Sequence, residues 1–237
     1  MLQSVKNWVK RYVPGATVVW RRLTWPHPRR VFRHIYHANR WGDDESRSGT
    51  GSNLAQTEKL RTELPLLLRR LGCKTLLDLP CGDFWWMNLA DLDGIEYIGG
   101  DIVPELIAEN RQRFARPGRR FEVLDLASDP LPRADVVFCR DCLVHLSYEF
   151  IDKALANLHR SGATYLVTTT YPATPANMDI PSGHWRTLNL TLPPFFFPPP
   201  LEALVEGCTE GEGAHVDKSL GVWRLADLPQ RLRLAGS

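Results

Sequence analysis

The sequence predicts an α/β fold built on one mostly parallel sheet, and two observations lead to this prediction. Five short apolar runs follow one another between residues 75 and 170, and each has the length and composition of a buried strand. Segments long enough for a helix separate most of these runs. Such alternation implies parallel pairing of the strands with right-handed crossovers.

The apolar runs place the strands and the segments between them place the helices. Two further segments, 201–208 and 218–225, fit an antiparallel pair that closes the sheet, so we expect seven strands with an antiparallel C-terminal edge. The five central strands are predicted at residues 75–79, 96–101, 121–125, 134–139 and 165–170, and the helices at 53–71, 84–89, 105–114 and 148–159.

The helix predicted over residues 53–71 precedes the sheet and follows a loop of small residues at 46–52. Gly72 is a typical C-terminal stop for this helix. Pro65 lies inside the helical pattern and predicts a kink. Leucines recur at helical spacing and predict one buried stripe, which consists of Leu60, Leu64, Leu67, Leu68 and Leu71.

Residues 171–200 interrupt the alternation of strands and helices. The segment is rich in proline and includes the run PPFFFPPP at 193–200. Proline donates no backbone hydrogen bond, and it continues neither a helix nor an interior strand. We therefore expect a stiff loop that carries aromatic side chains over the ends of the strands, where a substrate would enter.

Acidic residues lie at the ends of the first three predicted strands. These are Asp78, Asp101 and Asp125. A single acid in such a place is usually a helix cap. Three of them after successive strands indicate a ligand site at the carboxyl edge of the sheet, where Asp101 could accept hydrogen bonds from both ribose hydroxyls.

The turn after the first strand limits the kind of ligand. It reads DLPCGDF over residues 78–84 and lacks the dinucleotide fingerprint G-x-G-x-x-G. Pro80 and Phe84 stand where glycine would let a pyrophosphate approach the backbone. The sequence therefore predicts a site for a nucleoside ligand without a diphosphate.

This series of strands and turns resembles the class I S-adenosylmethionine-dependent methyltransferases over residues 75–170. A longer pattern, which covers most of the chain, resembles one bacterial branch of that family. Its motifs are IYHANRWG at 35–42, ESRSGTGS at 45–52, PCGDF at 80–84, CRDCLVHLS at 139–147, WRTLNL at 185–190, GCTE at 207–210 and DKSLG at 217–221.

The resemblance implies a Rossmann-like class I methyltransferase fold with S-adenosylmethionine as cofactor. It also implies that the loop at 48–52 lies near the methionine end of the cofactor. The residues that the resemblance assigns to cofactor binding are Asp78, Pro80, Cys81, Gly82 and Asp83 in the first turn, Asp101 at the ribose, Ile102, Asp125 and Leu126 at the adenine, and Arg140 beside the sulfonium.

Methyl transfer from a sulfonium is an in-line displacement, and a hydroxyl acceptor would need a general base. Asp141 and His145 are four residues apart, so a helical turn would place them on one face. We expect His145 to take the proton of the acceptor while Asp141 orients it. The alternative is that His145 only caps or packs beneath the end of the strand.

The proline-rich segment supplies the predicted substrate-binding residues, which are His184, Trp185, Arg186 and Asn189. An indole face with guanidinium and amide donors suits a sugar or another polyol. The same residues would also serve a lid that shields the site. We therefore expect the acceptor to be a hydroxyl on a small molecule or a glycan.

Charge divides the chain into a basic arm, residues 1–45, and a methyltransferase domain, residues 46–237. Residues 1–40 hold nine Lys and Arg and no acid. Apolar residues at helical spacing predict a basic amphipathic helix over 2–12. This helix could lie on an anionic membrane surface, or its apolar stripe could pack on the domain or on a second subunit. No nucleic-acid motif accompanies the arm.

Hydrophobicity and cysteine content limit the class of protein further. No apolar run reaches the roughly 20 residues of a membrane span, and no secretory signal is evident, so we expect a cytoplasmic protein that can sit peripherally at the inner membrane face. Five cysteines fit a reducing compartment. Cys139 and Cys142 form a C-x-x-C near His145, but no second such pair exists, and we predict no metal site.

Two other functions remain open at the level of sequence. A nicotinamide-dependent oxidoreductase could use the same sheet, although the missing G-x-G-x-x-G argues against it. A non-catalytic module could keep the fold and use the basic arm as a scaffold. No sequence feature specifies an oligomeric state.

Overall fold

The structure is a computed structural model, and it describes residues 26–233. The amphipathic helix predicted over residues 2–12 lies outside this part of the chain, so its contact with a membrane or a partner stays a prediction. Within residues 26–233, no helix is long and apolar enough to cross a membrane.

Seven strands form one sheet in the order β3-β2-β1-β4-β5-β7-β6. Pairing is parallel from β3 through β5, whereas β7 is antiparallel to both β5 and β6. The strands are β1 at Thr75–Asp78, β2 at Glu96–Asp101, β3 at Arg119–Val123, β4 at Val136–Cys139, β5 at Tyr165–Thr170, β6 at Glu202–Val205 and β7 at Ser219–Arg224.

The fold class predicted from the sequence is confirmed, including the antiparallel C-terminal edge. The bounds of β2 and β5 agree with the predicted ones, and among the five central strands β3 differs most. It begins at Arg119, two residues before the predicted start, because Arg119 pairs with Tyr97 in the register of β2. The buried centre of the sheet is apolar on both faces, as the sequence runs indicated.

Four α-helices belong to the described part of the chain: α1 at Pro28–His37, α2 at Glu58–Arg70, α3 at Pro104–Phe114 and α4 at Tyr148–Ser161. Helix α2 starts five residues later than predicted. Residues 53–57 form turns instead, in which the Asn53 side chain accepts from the Gln56 amide and its carbonyl accepts from Thr57. Four of the five predicted leucines of α2 are fully buried, and Leu71 is half-buried.

The helix predicted over residues 84–89 is wrong. The structure has turns there and one short 3-10 helix at Met87–Leu89. Phe84 adopts a left-handed backbone with φ 59°, which no α-helix contains. Its buried ring packs against Tyr97, Phe114 and Phe121, so tertiary aromatic packing determines the conformation of this turn.

Helix α1 was not predicted, because the residues before it are rich in Trp and Arg without a clear period. The His27 side chain caps it by accepting from the Arg29 amide. The helix lies against α3, where Arg33 forms an ion pair with Glu105. Part of the positive charge of the predicted arm is therefore used inside the molecule.

The proline-rich segment contains neither a helix nor a named strand over residues 171–200, as predicted. Backbone hydrogen bonds hold it against the end of the sheet. The Gly183 amide donates to the His145 carbonyl at 2.8 Å, and the Arg186 amide donates to the Val144 carbonyl at 3.2 Å. The Tyr171 amide, directly after β5, donates to the Leu188 carbonyl within the segment at 2.7 Å. The segment thus covers the chain that follows β4 and β5.

Gly99 in β2 provides a test of the packing between the sheet and its aromatic layer. A Cβ atom at Gly99 would lie 2.6 Å from the Phe121 ring and 3.0 Å from the Tyr97 ring. We expect Gly99→Ala to lower the free energy of unfolding by about 1–3 kcal/mol, because neither buried ring can move freely. Urea denaturation measures this change.

The control is Glu96→Ala on the same strand, where the side chain is exposed and the expected change is within about 0.5 kcal/mol. Equal stability of Gly99→Ala and the wild type would show that the aromatic layer is less tightly packed than the distances indicate.

Candidate active site

A cavity of about 480 Å³ opens at the carboxyl ends of β1, β2 and β4, which is the edge where the sequence placed the ligand. The volume is typical of small-molecule sites. All ten residues predicted to bind the cofactor line this cavity: Asp78, Pro80, Cys81, Gly82, Asp83, Asp101, Ile102, Asp125, Leu126 and Arg140.

Asp101 ends β2 and is one of three buried aspartates in the cavity wall, with Asp78 and Asp125. Its side chain accepts a hydrogen bond from the Val103 amide at 2.9 Å and interacts with the amides of Gly82 and Ile102. Burial raises the pKa of Asp101 to about 6, against the effect of these amide donors. Asp101 is therefore mainly ionised at neutral pH and able to accept further hydrogen bonds.

Asp78, the second buried carboxyl group, ends β1 and accepts a hydrogen bond from the Tyr97 hydroxyl at 2.5 Å. Burial raises the pKa of Asp78 to about 8, although the Tyr97 hydrogen bond favours the charged form. The two acids therefore differ in charge at neutral pH, with Asp78 mainly protonated and Asp101 mainly ionised.

Asp83 lines the cavity, but its carboxylate is occupied by the loop at residues 46–52. It accepts from the Ser46 hydroxyl at 3.0 Å and from the Arg47 amide at 2.7 Å, while the Asp83 amide donates to the Ser48 hydroxyl at 3.0 Å. Gly82 is required beside this contact, since a Cβ atom there would lie 2.1 Å from the Ser48 oxygen. The first turn thus fixes the loop over the cavity.

Apolar side chains and one acid form the other wall, at the end of β3. Ile102 and Leu126 line the cavity there, as does Asp125. The Asp125 carboxylate accepts from the Ala127 amide at 2.9 Å and lies 3.7 Å from the His27 ring nitrogen. This wall combines apolar contact with polar groups at its rim, which suits a purine ring.

Four charged side chains form a cluster behind the loop, which we call the ion cluster: Arg140, Asp141, Glu206 and Lys218. Arg140 donates to Glu206 at 2.7 Å, and Lys218 donates to Asp141 at 2.6 Å. Lys218 also lies 3.5 Å from Glu206. Arg140, Glu206 and Lys218 are at least 96% buried, so these charges compensate one another almost out of contact with water.

Asp141 is a counter-ion in this cluster. Burial alone would raise its pKa, but the charges of Lys218 and then Arg140 lower the pKa of Asp141 to about 2. Sequence reasoning placed Arg140 and Asp141 here but missed Glu206 and Lys218 as their partners. Those partners lie 66 and 77 residues further along the chain, where no local pattern could indicate the pairing.

His145 lies in the cavity with a defined orientation. Its Nδ1 is 2.9 Å from the His184 carbonyl oxygen, and because a carbonyl only accepts, Nδ1 carries the proton. The Trp41 ring packs on the imidazole with 5.2 Å between ring centroids. Burial lowers the pKa of His145, so the ring is neutral at physiological pH and Nε2 keeps its lone pair.

The orientation of His145 differs from the expected one. Residues 141–145 do not form an α-helical turn, because Asp141 has φ 50° and only Leu143–His145 is helical, in 3-10 geometry. Asp141 therefore does not hold the imidazole by a hydrogen bond. The His184 carbonyl and the Trp41 ring hold it instead.

The four predicted substrate-binding residues separate into two groups. Trp185 lines the cavity. Arg186 and Asn189 are buried outside it: Arg186 donates to the carbonyls of Leu143 and Leu146, and Asn189 donates to that of Pro172. His184 contributes its backbone carbonyl to His145. Arg186 holds the proline-rich segment to the chain after β4, and Asn189 ties two parts of the segment together, which explains these polar residues.

Within residues 26–233, no group of three or more His, Cys, Asp or Glu side chains could hold a metal ion. Cys139 is fully buried, and Cys142 packs against the apolar core. The contact with the Cys139 thiol raises the pKa of Cys142 most, and burial raises it further. Cys142 is therefore a neutral thiol.

The comparisons with known proteins agree with this geometry. Residues 76–163 match the sequence model of a methyltransferase domain. The fold is similar to that of Burkholderia thailandensis 1,6-didemethyltoxoflavin-N1-methyltransferase with bound 1,6-didemethyltoxoflavin and S-adenosylhomocysteine, with a TM-score of 0.57, 18% identity and coverage of 83% of this chain and 86% of that chain.

A second similar structure is human N-acetylserotonin methyltransferase in complex with SAM, with a TM-score of 0.50 and 14% identity. The match covers 82% of this chain but only 58% of the human protein. Among curated protein sequences, none is similar enough to count as a match.

The sheet order, the cavity at its carboxyl edge and the matched domain define a class I methyltransferase fold. Residues 76–163 match a methyltransferase domain. The two structures of similar fold hold S-adenosylhomocysteine and S-adenosylmethionine. The cavity fits S-adenosylmethionine: the Asp101 carboxylate can accept from ribose hydroxyls, the acids suit a cation, and the apolar wall suits adenine.

Asp101 should make cofactor binding depend on pH. We expect the Kd for S-adenosylmethionine to rise as the pH falls below about 6, since protonation removes the charged acceptor of Asp101. Asp101→Asn should weaken binding roughly tenfold or more at about pH 8, the effect of losing a hydrogen bond to a charged group. Titration calorimetry across pH measures both effects, and an unchanged pH profile in Asp101→Asn would contradict the assignment.

Asp78 should make stability depend on pH. Its pKa in the folded protein, about 8, lies above the ordinary value of 3.8, so its stabilising contribution is complete below pH 3.8 and is lost as the pH rises towards 8. We expect wild-type stability to fall faster with pH than that of Asp78→Asn, by up to about 1.4 kcal/mol per pH unit.

Urea denaturation at several pH values between about 5 and 8 measures this difference in slope. The amide of the variant can still accept from the Tyr97 hydroxyl, so packing is preserved. Parallel stability profiles of the two proteins would show that Asp78 is ionised in the folded state.

Proposed function

We propose that this chain methylates a hydroxyl oxygen of a small molecule or glycan, with His145 as the general base. One observation carries the proposal: an oriented, neutral imidazole lines the cofactor cavity. The Nδ1 proton is engaged by the His184 carbonyl, which leaves Nε2 to receive a proton. A hydroxyl acceptor needs such a group, because it must lose its proton as the new bond forms.

When bound, S-adenosylmethionine supplies the methyl group, so that the acceptor oxygen bonds to the methyl carbon while the carbon–sulfur bond breaks and leaves its electron pair on sulfur. The task of the protein is then to position the acceptor and exclude water. Loop 46–52, helix α1 and the proline-rich segment enclose the cavity from three sides and suit that task.

Asp141 supports the base through its charge. The carboxylate raises the pKa of His145, in opposition to the larger effect of burial, which lowers it. Protonated His145 would therefore be stabilised by Asp141 at the moment when it carries the proton of the acceptor. We propose this electrostatic role for Asp141 in place of the expected hydrogen bond.

The cofactor-binding assignments of the first turn, Asp101 and the apolar wall remain part of the proposal. Their support is that all ten residues face one cavity. The two similar structures bear names that refer to small molecules, one of them methylated on nitrogen, and these names support a small-molecule acceptor. We favour oxygen over nitrogen because a neutral amine has a free lone pair and requires no base before attack.

His145→Gln should separate the proposed chemistry from cofactor binding. We expect kcat to fall by roughly 10²–10⁴-fold, because the amide cannot take a proton. The Kd for S-adenosylmethionine should stay within about twofold, since His145 is assigned to the acceptor. Steady-state kinetics with the acceptor and titration calorimetry with the cofactor measure the two quantities.

At saturating S-adenosylmethionine, which removes the effect of Asp101 on binding, kcat of the wild type should rise with pH through a value below 6.5, because burial lowers the pKa of His145 and the base must be neutral. This ascending limb should vanish in His145→Gln. The control is His34→Gln on the exposed face of α1, which should behave as the wild type. Full turnover in His145→Gln would place the base elsewhere.

A further inference from the structure

One end of the cavity is lined with rings from three separate segments of the chain, and we call this end the ring pocket. It consists of Trp41 after α1, Tyr171 after β5, Trp185 in the proline-rich segment and His215 before β7. Trp185 and His215 pack edge to face with 5.0 Å between centroids, and Tyr171 lies 5.8 Å from His215. His145 packs against Trp41, so the base adjoins this pocket.

Charged side chains at this end are already engaged by the protein, although Nδ1 of His215 is buried without a hydrogen-bond partner. Lys218 and Asp141 form an ion pair, and Glu210 accepts a hydrogen bond from the Thr50 hydroxyl at 2.5 Å. Arg186 and Asn189, the predicted donors for a polyol, are 5% and 7% exposed and bind backbone carbonyls. A sugar needs several directed hydrogen bonds, and these residues do not supply them.

The strength of the base also distinguishes the hydroxyl classes. Burial lowers the pKa of His145, which makes it a weaker base than an exposed histidine. A phenolic hydroxyl ionises near pKa 10, as in tyrosine, whereas water, whose hydroxyl is similar to that of an alcohol, has a pKa of about 15.7. The difference in pKa between the acceptor hydroxyl and His145 is therefore smaller by roughly 6 units for a phenol than for an alcohol.

We infer that the acceptor is a planar aromatic compound with a ring-bound hydroxyl, a phenol or a hydroxylated heteroaromatic, that binds among Trp41, Tyr171, Trp185 and His215. This inference rests on the proposed function and specifies its substrate class. Planar rings gain from stacked and edge-to-face contacts with such a pocket beyond the burial of apolar area. The phenolic proton passes to Nε2 of His145 and leaves as a solvent proton after the methyl ether has formed.

A matched panel of ring compounds tests the inference on the intact chain. The aromatic members are phenol, catechol, naphthol and hydroxyquinoline, and the saturated members are cyclohexanol, inositol and methyl glucoside. Transfer is followed with isotopically labelled S-adenosylmethionine, and binding to the complex with S-adenosylhomocysteine is followed by calorimetry. We expect transfer and binding only with aromatic members, with phenol at least about tenfold better than cyclohexanol in kcat/KM.

Variants of Trp185 locate the acceptor. The side chain is 45% exposed, so its replacement should leave the fold intact. Trp185→Leu should weaken binding of the best aromatic compound by about three- to tenfold. Trp185→Phe should weaken binding less, because phenylalanine keeps an aromatic ring. The control is Phe196→Leu in the same segment, an exposed ring outside the cavity, which should bind as the wild type.

The outcomes separate this inference from the proposed function. Methylation of cyclohexanol or methyl glucoside in preference to the phenols, with dependence on His145, would overturn the aromatic acceptor and leave the base in place. Methylation of phenols at equal rates by the wild type and His145→Gln would support the aromatic acceptor and overturn the base. The absence of binding by every aromatic member would overturn the inference.

Discussion

The ion cluster is the interaction on which the rest of the site depends. Arg140 and Asp141 follow β4, Glu206 follows β6, and Lys218 precedes β7, so their pairing joins the parallel part of the sheet to its antiparallel edge. Arg140 also donates to the Gly51 carbonyl at 2.8 Å and thereby fixes the loop that lines the cavity. Removing one member would leave a buried charge unpaired, which typically costs about 3–5 kcal/mol. The cluster therefore specifies how three segments meet at the cavity.

Three of the carboxyl groups that line the cavity are in three different states, and the environment of each explains its role. Burial raises the pKa of Asp78 and of Asp101 to about 8 and about 6, and for Asp78 the charge of Arg140 offsets only part of this rise. Asp141 has two cations beside it and stays ionised at all ordinary pH values. The site therefore combines a neutral acid, an anionic acceptor and a fixed counter-ion, which suits a ligand whose positive charge disappears during the reaction.

The parts of the fold that could be predicted are those fixed by local patterns. The strands and the leucine stripe of α2 follow from the spacing of apolar residues, and the cofactor end of the cavity follows from the residues directly after each strand. The parts that could not be predicted depend on distant contacts. Phe84 leaves the helical conformation because of rings up to 37 residues away, and Lys218 pairs with an acid 77 residues before it. Arg186 looked like a substrate donor, yet it binds backbone carbonyls.

The acceptor end shows why its chemistry is harder to infer than that of the cofactor. The cofactor end is built from one continuous edge of the sheet. Its residues therefore directly follow the strands in the sequence, where they can be predicted. The ring pocket is assembled from segments far apart in sequence, and Trp41 belongs to a part of the chain that seemed to be an arm. Helix α1 brings Trp41 to His145 through ion pairs such as that of Arg33 with Glu105. His145 is thus held by two separate parts of the chain, by Trp41 after α1 and by the His184 carbonyl in the proline-rich segment. A change in α1 would therefore alter the site both through the position of His145 and through the α1 residues that line the cavity.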